Sequence, residues 1–162
     1  MKQQKIFVRA SETATAAEGQ VLAAVGLGSC VVMALYDPDA GIAGLAHPLL
    51  PEPPQLGRRG SDGRYVTTAL PLLLDRMTRA GADPERVFAR LAGGARMFEM
   101  VLSANGGALG ARNAEAARRV LEELAVPVRA EALGGQGGRS VYLHSGDGRL
   151  VVRSVGKPDV EL

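Results

Sequence analysis

Two apolar runs, residues 31–36 and 42–50, flank the pentapeptide Asp37-Pro38-Asp39-Ala40-Gly41, and this arrangement constrains the chain more than any other stretch. β-Branched and large apolar side chains favour a pleated surface, and an Asp, Pro and Gly cluster reverses the backbone. An antiparallel hairpin is the expected result. The same signals predict strands over residues 6–9, 21–25, 87–92, 126–133, 139–144 and 150–155. The turn Ser145-Gly146-Asp147-Gly148 should join the last two as a second hairpin.

Two helices are predicted. Residues 65–80 place Ala69, Leu72, Leu73 and Met77 at helical spacing with Gly81 as a stop, and Pro71 predicts a bend or a start nearby. Residues 110–124 align Ala117, Val120, Leu121 and Leu124 on one face, with Asn113 as the expected N-cap. Residues 11–18 are small and polar and read as a loop, and the Pro- and Gly-rich stretch 51–63 reads as a surface loop long enough to be a lid or binding rim. Strands outnumber helices and no internal repeat is present. The expected fold class is α+β, a strand-rich core flanked by about two long helices, in one domain spanning residues 1–162.

Several function classes are disfavoured. Lys and Arg number 19 against 17 Asp and Glu, scattered along the chain, and aromatics are only 4%, too few for a base-stacking surface, so no nucleic-acid partner is expected. The longest uncharged run, residues 21–36, is shorter than the ~20 residues a spanning helix needs and is broken by Gly26, Gly28 and Ser29, so no membrane insertion is expected. Lys2 and Lys5 lead into Val8-Arg9-Ala10-Ser11-Glu12 rather than a signal-peptide core, and a single unpaired cysteine fits a reducing compartment. The expected location is the cytoplasm.

That cysteine, Cys30, ends the run Gly26-Leu27-Gly28-Ser29-Cys30. A lone thiol is a buried small hydrophobe, a surface residue or a nucleophile, and these glycines favour the third by permitting a tight turn that brings N–H groups close to a carbonyl. A free thiol titrates near pH ~8.5, so a nucleophile needs an activating neighbour. His47 is the candidate base. If the two runs pair about their turn, positions near Cys30 and His47 meet at its far end, where opposed Cβ atoms lie ~4.5–5.5 Å apart. Each residue alone is ordinarily a core residue; their joint placement is what suggests chemistry. His144, beside a turn, is read as an exposed polar residue. One Cys and two His make no zinc ligand set of tetrahedral spacing, so no metal is expected, and acyl transfer by a thiol and an imidazole would need no cofactor. Gly134-Gly135-Gln136-Gly137-Gly138-Arg139 lacks the Lys-Ser/Thr ending of a phosphate loop and reads as a turn, while Gly93-Gly94 and Gly106-Gly107 mark bends or a close backbone approach.

Taken together, Gly26-Leu27-Gly28-Ser29-Cys30, Leu35-Tyr36-Asp37-Pro38 and His47-Pro48-Leu49-Leu50-Pro51 resemble the CheD family of chemoreceptor glutamine deamidases. Gly93-Gly94-Ala95-Arg96-Met97-Phe98, Leu109-Gly110-Ala111-Arg112-Asn113 and the segment 134–139 resemble that family's later blocks in the same order. The resemblance implies a mixed β-sandwich flanked by helices, similar to the bacterial toxin deamidases. It also implies a hydrolase, a protein-glutamine glutaminase that converts specific glutamines of methyl-accepting chemotaxis receptors to glutamate with release of ammonia. In that resemblance Cys30 is the nucleophile, His47 the acid and base, and the turn of Gly26, Gly28 and Ser29 the oxyanion site. A CheC phosphatase is an implied partner in signal transduction.

Two positions depart from the family pattern. Its third active-site residue, a threonine, falls on Ala24, which has no hydrogen-bonding side chain, and Thr67 stands where the family tends to carry aspartate. Ser29 or a backbone carbonyl are the available substitutes for the threonine. The alternatives are a receptor- or CheC-binding regulator without turnover, or a thiol hydrolase acting on another amide.

Overall fold

The computed structural model describes residues 2–95, 109–135 and 137–162. Ten strands form two five-stranded sheets, and helices lie on one of them. The first sheet holds β1 (Lys5–Phe7), β3 (Val21–Leu27), β8 (Arg139–His144), β9 (Leu150–Ser154) and β10 (Val160–Glu161), in the order β1-β3-β8-β9-β10. The second runs β2 (Thr13–Ala16), β5 (Ile42–Ala46), β4 (Val31–Asp37), β6 (Phe88–Gly93), β7 (Val128–Leu133). Each sheet is mixed, with one parallel pair: β1 with β3, and β6 with β7. The expected α+β class and mixed sandwich are both present.

The layering explains why β4 is apolar throughout. Alternate residues of a strand face opposite sides. Val31, Met33 and Leu35 pack with α1 (Val66–Arg79) and α2 (Leu109–Glu123), while Val32, Ala34 and Tyr36 pack against Leu22, Val141 and Leu143 of the other sheet. The second sheet is thus buried on both faces, and the first turns one face outward.

The β4–β5 hairpin forms as expected, with Met33 opposite Ala46 and Asp37 opposite Ile42. Its turn is locked by the buried Asp37 carboxylate. That group accepts from the backbone N–H of Asp39, Ala40 and Asp83 and from the Arg86 guanidinium at 3.0 and 3.1 Å. Burial pushes the Asp37 pKa up, but Arg86 and these N–H donors outweigh it and bring it down to about 2.

Four local expectations need correction. Residues 11–18 are not a loop, because Thr13–Ala16 forms β2 along the edge of β5, where pairing outweighs a composition of small residues. The predicted strand 21–25 runs on to Leu27 through a bulge between Ala24 and Leu27, and Gly26 takes φ +69° there. α1 runs from Val66 to Arg79 without a break at Pro71, whose ring lies on the exposed side, where water can reach the Thr67 carbonyl left without a helical partner. Asn113 is no cap: it lies inside α2 and is fully buried. Gly106-Gly107, Gln136 and the Arg96-Met97-Phe98 end of the Gly93 motif lie outside the described residues.

Candidate active site

Three connections cross between the two sheets at one end of the sandwich, and two of them frame the site. Residues 28–30 carry the chain from β3 to β4, and residues 8–12 carry it from β1 to β2. Cys30 lies in the first crossing and is partly exposed. His47 follows β5 directly and is only 6% exposed.

The β4–β5 ladder ends with Met33 opposite Ala46, three residues after Cys30 and one before His47, so both residues lie beyond the same end of the hairpin.

His47 is held by three hydrogen bonds from the second crossing. Its N–H donates to Glu12 O at 3.0 Å, its C=O accepts from Ser11 N at 2.7 Å, and its ring Nδ1 lies 3.0 Å from Val8 O. A carbonyl only accepts, so Nδ1 carries the proton and Nε2 presents a lone pair. Ala24 is buried in β3 and contributes no such group. Of the two substitutes open from the sequence, the backbone carbonyl is the one present, and it belongs to Val8. The turn behind it is unusual: Ser11 has φ +72°, and a Cβ on the buried Gly63 would run into the Ser11 carbonyl oxygen.

The cysteine crossing is clamped by Gly93-Gly94-Ala95. Gly94 N donates to Cys30 O at 2.8 Å and Ala95 N to Gly28 O at 2.9 Å. A Cβ on Gly93, where φ is +110°, would collide with the Cys30 carbonyl oxygen. The close approach these glycines permit is that of the cysteine's own backbone. Arg139 Nη1 donates to Gly93 O at 2.7 Å and its Nη2 to Gly134 O at 2.6 Å, so Arg139 braces the clamp.

Asn113 ties the two halves together. Its Nδ2 donates to Leu49 O at 3.2 Å, just past the histidine, and reaches Ser29 O at 3.5 Å, just before the cysteine. Its buried Oδ1 has no partner among the described residues. Sequence patterning marked Asn113 only as a cap and could not find Val8, whose contribution is a main-chain atom.

The electrostatics differ from an expected thiolate. Burial pushes the Cys30 thiol up, opposed by its own N–H. Burial also pushes the His47 imidazole down, opposed by the Val8 hydrogen bond and by Glu12. Low dielectric disfavours the charged form of each group. Both shifts favour the uncharged form of each group, and the described hydrogen bonds leave His47 Nε2 without a protein partner. Among the described residues the N–H groups of Gly28 and Ser29 donate to no protein acceptor. Gly26, in the bulge, stands one step back from the thiol. His144 is on β8, opposite Val21, in the other sheet, and no group of three His, Cys, Asp or Glu side chains gathers among the described residues.

Residues 49–154 match a family model described as CheD chemotactic sensory transduction. The chain belongs to the CheD family. It is 40% identical over 158 residues to a protein of Geobacter metallireducens named probable chemoreceptor glutamine deamidase CheD 2, covering 97% of this chain and 98% of that one. A Caldanaerobacter subterraneus relative with the name probable chemoreceptor glutamine deamidase CheD is 39% identical, with 84% of each chain covered. The same name belongs to a Thermococcus kodakarensis protein 40% identical over 93% of each chain. Among solved structures, a Neisseria meningitidis protein of the DUF152 family is similar in fold at TM-score 0.53 and 11% identity, with 82% of this chain and 64% of that one covered. The CheD family model begins two residues after His47, so the similarity of the cysteine segment rests on the longer alignments with the named relatives. No helix among the described residues is long and apolar enough to cross a membrane.

Proposed function

We propose that this CheD protein hydrolyses the side-chain amide of glutamines in chemoreceptors, with Cys30 as nucleophile and His47 as base and acid. The observation that carries the reading is the hydrogen bond between His47 Nδ1 and Val8 O at 3.0 Å, which engages that nitrogen and leaves Nε2 for a thiol. The names of the relatives support the substrate class.

The neutral resting pair favours general-base catalysis over a preformed ion pair. Cys30 sulfur attacks the carboxamide carbon while its proton passes to His47 Nε2. The C–S bond forms, and the carbonyl electron pair moves onto oxygen, where the N–H groups of Gly28 and Ser29 stabilise it. Collapse breaks the C–N bond, the imidazolium proton goes to nitrogen, and ammonia leaves a thioester. Water then gives a proton to Nε2 and attacks the thioester, and the returning proton restores the thiol as glutamate departs.

The single domain acts in the cytoplasm on the cytoplasmic part of the receptor, and a CheC-type phosphatase is the partner that family resemblance suggests. Mass spectrometry of a receptor fragment incubated with the protein tests the reaction. Amide-to-acid conversion that vanishes in Cys30→Ala is expected; no conversion with a receptor that binds rules the proposal out.

A further inference from the structure

On the surface lies a cleft of about 530 Å³ whose walls carry four arginines, Arg58, Arg59, Arg64 and Arg112, against the one carboxylate of Glu52. Leu50 and Pro51, which continue the His47 segment, line it together with Arg112, the neighbour of Asn113 in sequence. The whole chain has only two more Lys and Arg than Asp and Glu, so this is a local concentration of charge and not a share of a general one.

The arginines are poorly neutralised. Arg59 pairs with Asp62 at 2.9 Å on the exposed surface, whereas Arg58 and Arg64 have no carboxylate within ion-pair distance among the described residues. The Arg64 backbone is fixed, accepting from Leu49 and Leu50 N–H at 2.8 and 3.1 Å, so its position is tied to the chain that carries His47. Tyr65, the aromatic residue lining the cleft, is 2% exposed and has its hydroxyl engaged by Gly60 N. With no aromatic face offered, the cleft suits carboxylates better than stacked bases.

We infer that this cleft is a carboxylate subsite that holds acidic side chains flanking the target glutamine. The inference rests on the deamidase reading and gives it a substrate preference. The chemistry adds a consequence, since each turnover replaces a neutral amide by a carboxylate. A receptor segment with two target glutamines close together therefore presents, after the first conversion, the very group the cleft takes, and the second conversion is favoured.

The test uses the full chain carrying Cys30→Ala, so that peptides bind without turnover, and three labelled peptides of equal length. One has glutamates within four residues of a central glutamine, one has the same number of glutamates moved to its ends, and one has glutamines in their place. Anisotropy should give about tenfold tighter binding for the first than for the other two, weakening as salt rises. Adding Arg58→Glu with Arg64→Glu should abolish the difference; both side chains are exposed, and the milder pair Arg58→Gln with Arg64→Gln serves if the reversal disturbs folding. Equal affinities for the first two peptides would mean general polyanion attraction and overturn the subsite, as would a preference that survives in the double variants. Wild-type conversion of the same peptides is followed separately. Conversion without a binding preference removes the subsite and leaves the deamidase; a preference without conversion removes the deamidase and leaves a carboxylate-binding cleft.

Discussion

Replacing Asn113 by alanine tests the idea that one buried amide holds both halves of the site in register. The loss strands the Leu49 carbonyl, bonded at 3.2 Å, and weakens the hold on Ser29 O at 3.5 Å. An unsatisfied buried acceptor costs ~1–3 kcal/mol and the small cavity about 1 more, while removal of the partnerless Oδ1 offsets part of this. A net destabilisation of about 2 kcal/mol follows, which for a chain of this size lowers Tm by roughly 4–8 °C. The catalytic effect should be larger than the thermal one, because misplacing reacting groups by about 1 Å costs ~10²-fold in kcat, with KM nearly unchanged. Asn113→Asp supplies the internal control. A carboxylate facing two carbonyls in a buried site has its folded pKa raised above the ordinary ~3.9, so the variant is most stable at low pH and loses stability as pH rises through that folded value. Differential scanning fluorimetry should therefore find its Tm deficit against wild type narrowing between about pH 8 and about pH 5. An alanine variant with unchanged kcat, or an aspartate variant whose deficit ignores pH, refutes the clamp.

Three further outcomes are expected. In Gly93→Ala the new Cβ meets the Cys30 carbonyl at a backbone φ of +110°, so the cysteine segment must shift; ammonia release should fall ~10²-fold, and a wild-type rate would contradict the contact. Iodoacetamide should alkylate Cys30 at pH 7 more slowly than a free thiol, with the rate climbing only above about pH 8.5, because burial raises the thiol and keeps His47 neutral; faster reaction than a free thiol would reveal a resting ion pair. Asp37, at about 2, contributes about 2 kcal/mol of stability that is present above the ordinary carboxylate range and lost as pH falls toward 2, so urea midpoints of Asp37→Asn should be lower than wild type at neutral pH and converge with it in acid.

The central hairpin was legible from sequence because a turn cluster between two apolar runs fixes a register to within a residue or two. The layering was not. Only the structure reveals that β4 is apolar on both faces because helices cover one and a second sheet the other. β2 was hidden because its sequence, Thr-Ala-Thr-Ala, carries little hydrophobic signal and gains its identity from the edge of β5. Asn113 was seen and misplaced: the helix begins earlier than its capping preference suggested, which turns a surface cap into a buried brace. The glycines at 93 and 94 were legible as sites of close approach, but not what approaches them.

A side-chain census of this site finds a position emptied at Ala24 and would score the machinery as broken. Yet point substitution cannot delete a peptide oxygen, and the acceptor at Val8 would persist through any change of side chain that leaves the Arg9–Glu12 turn intact. The residues on which that acceptor depends are then those that shape the turn: Ser11 with its left-handed backbone and Gly63 beneath it.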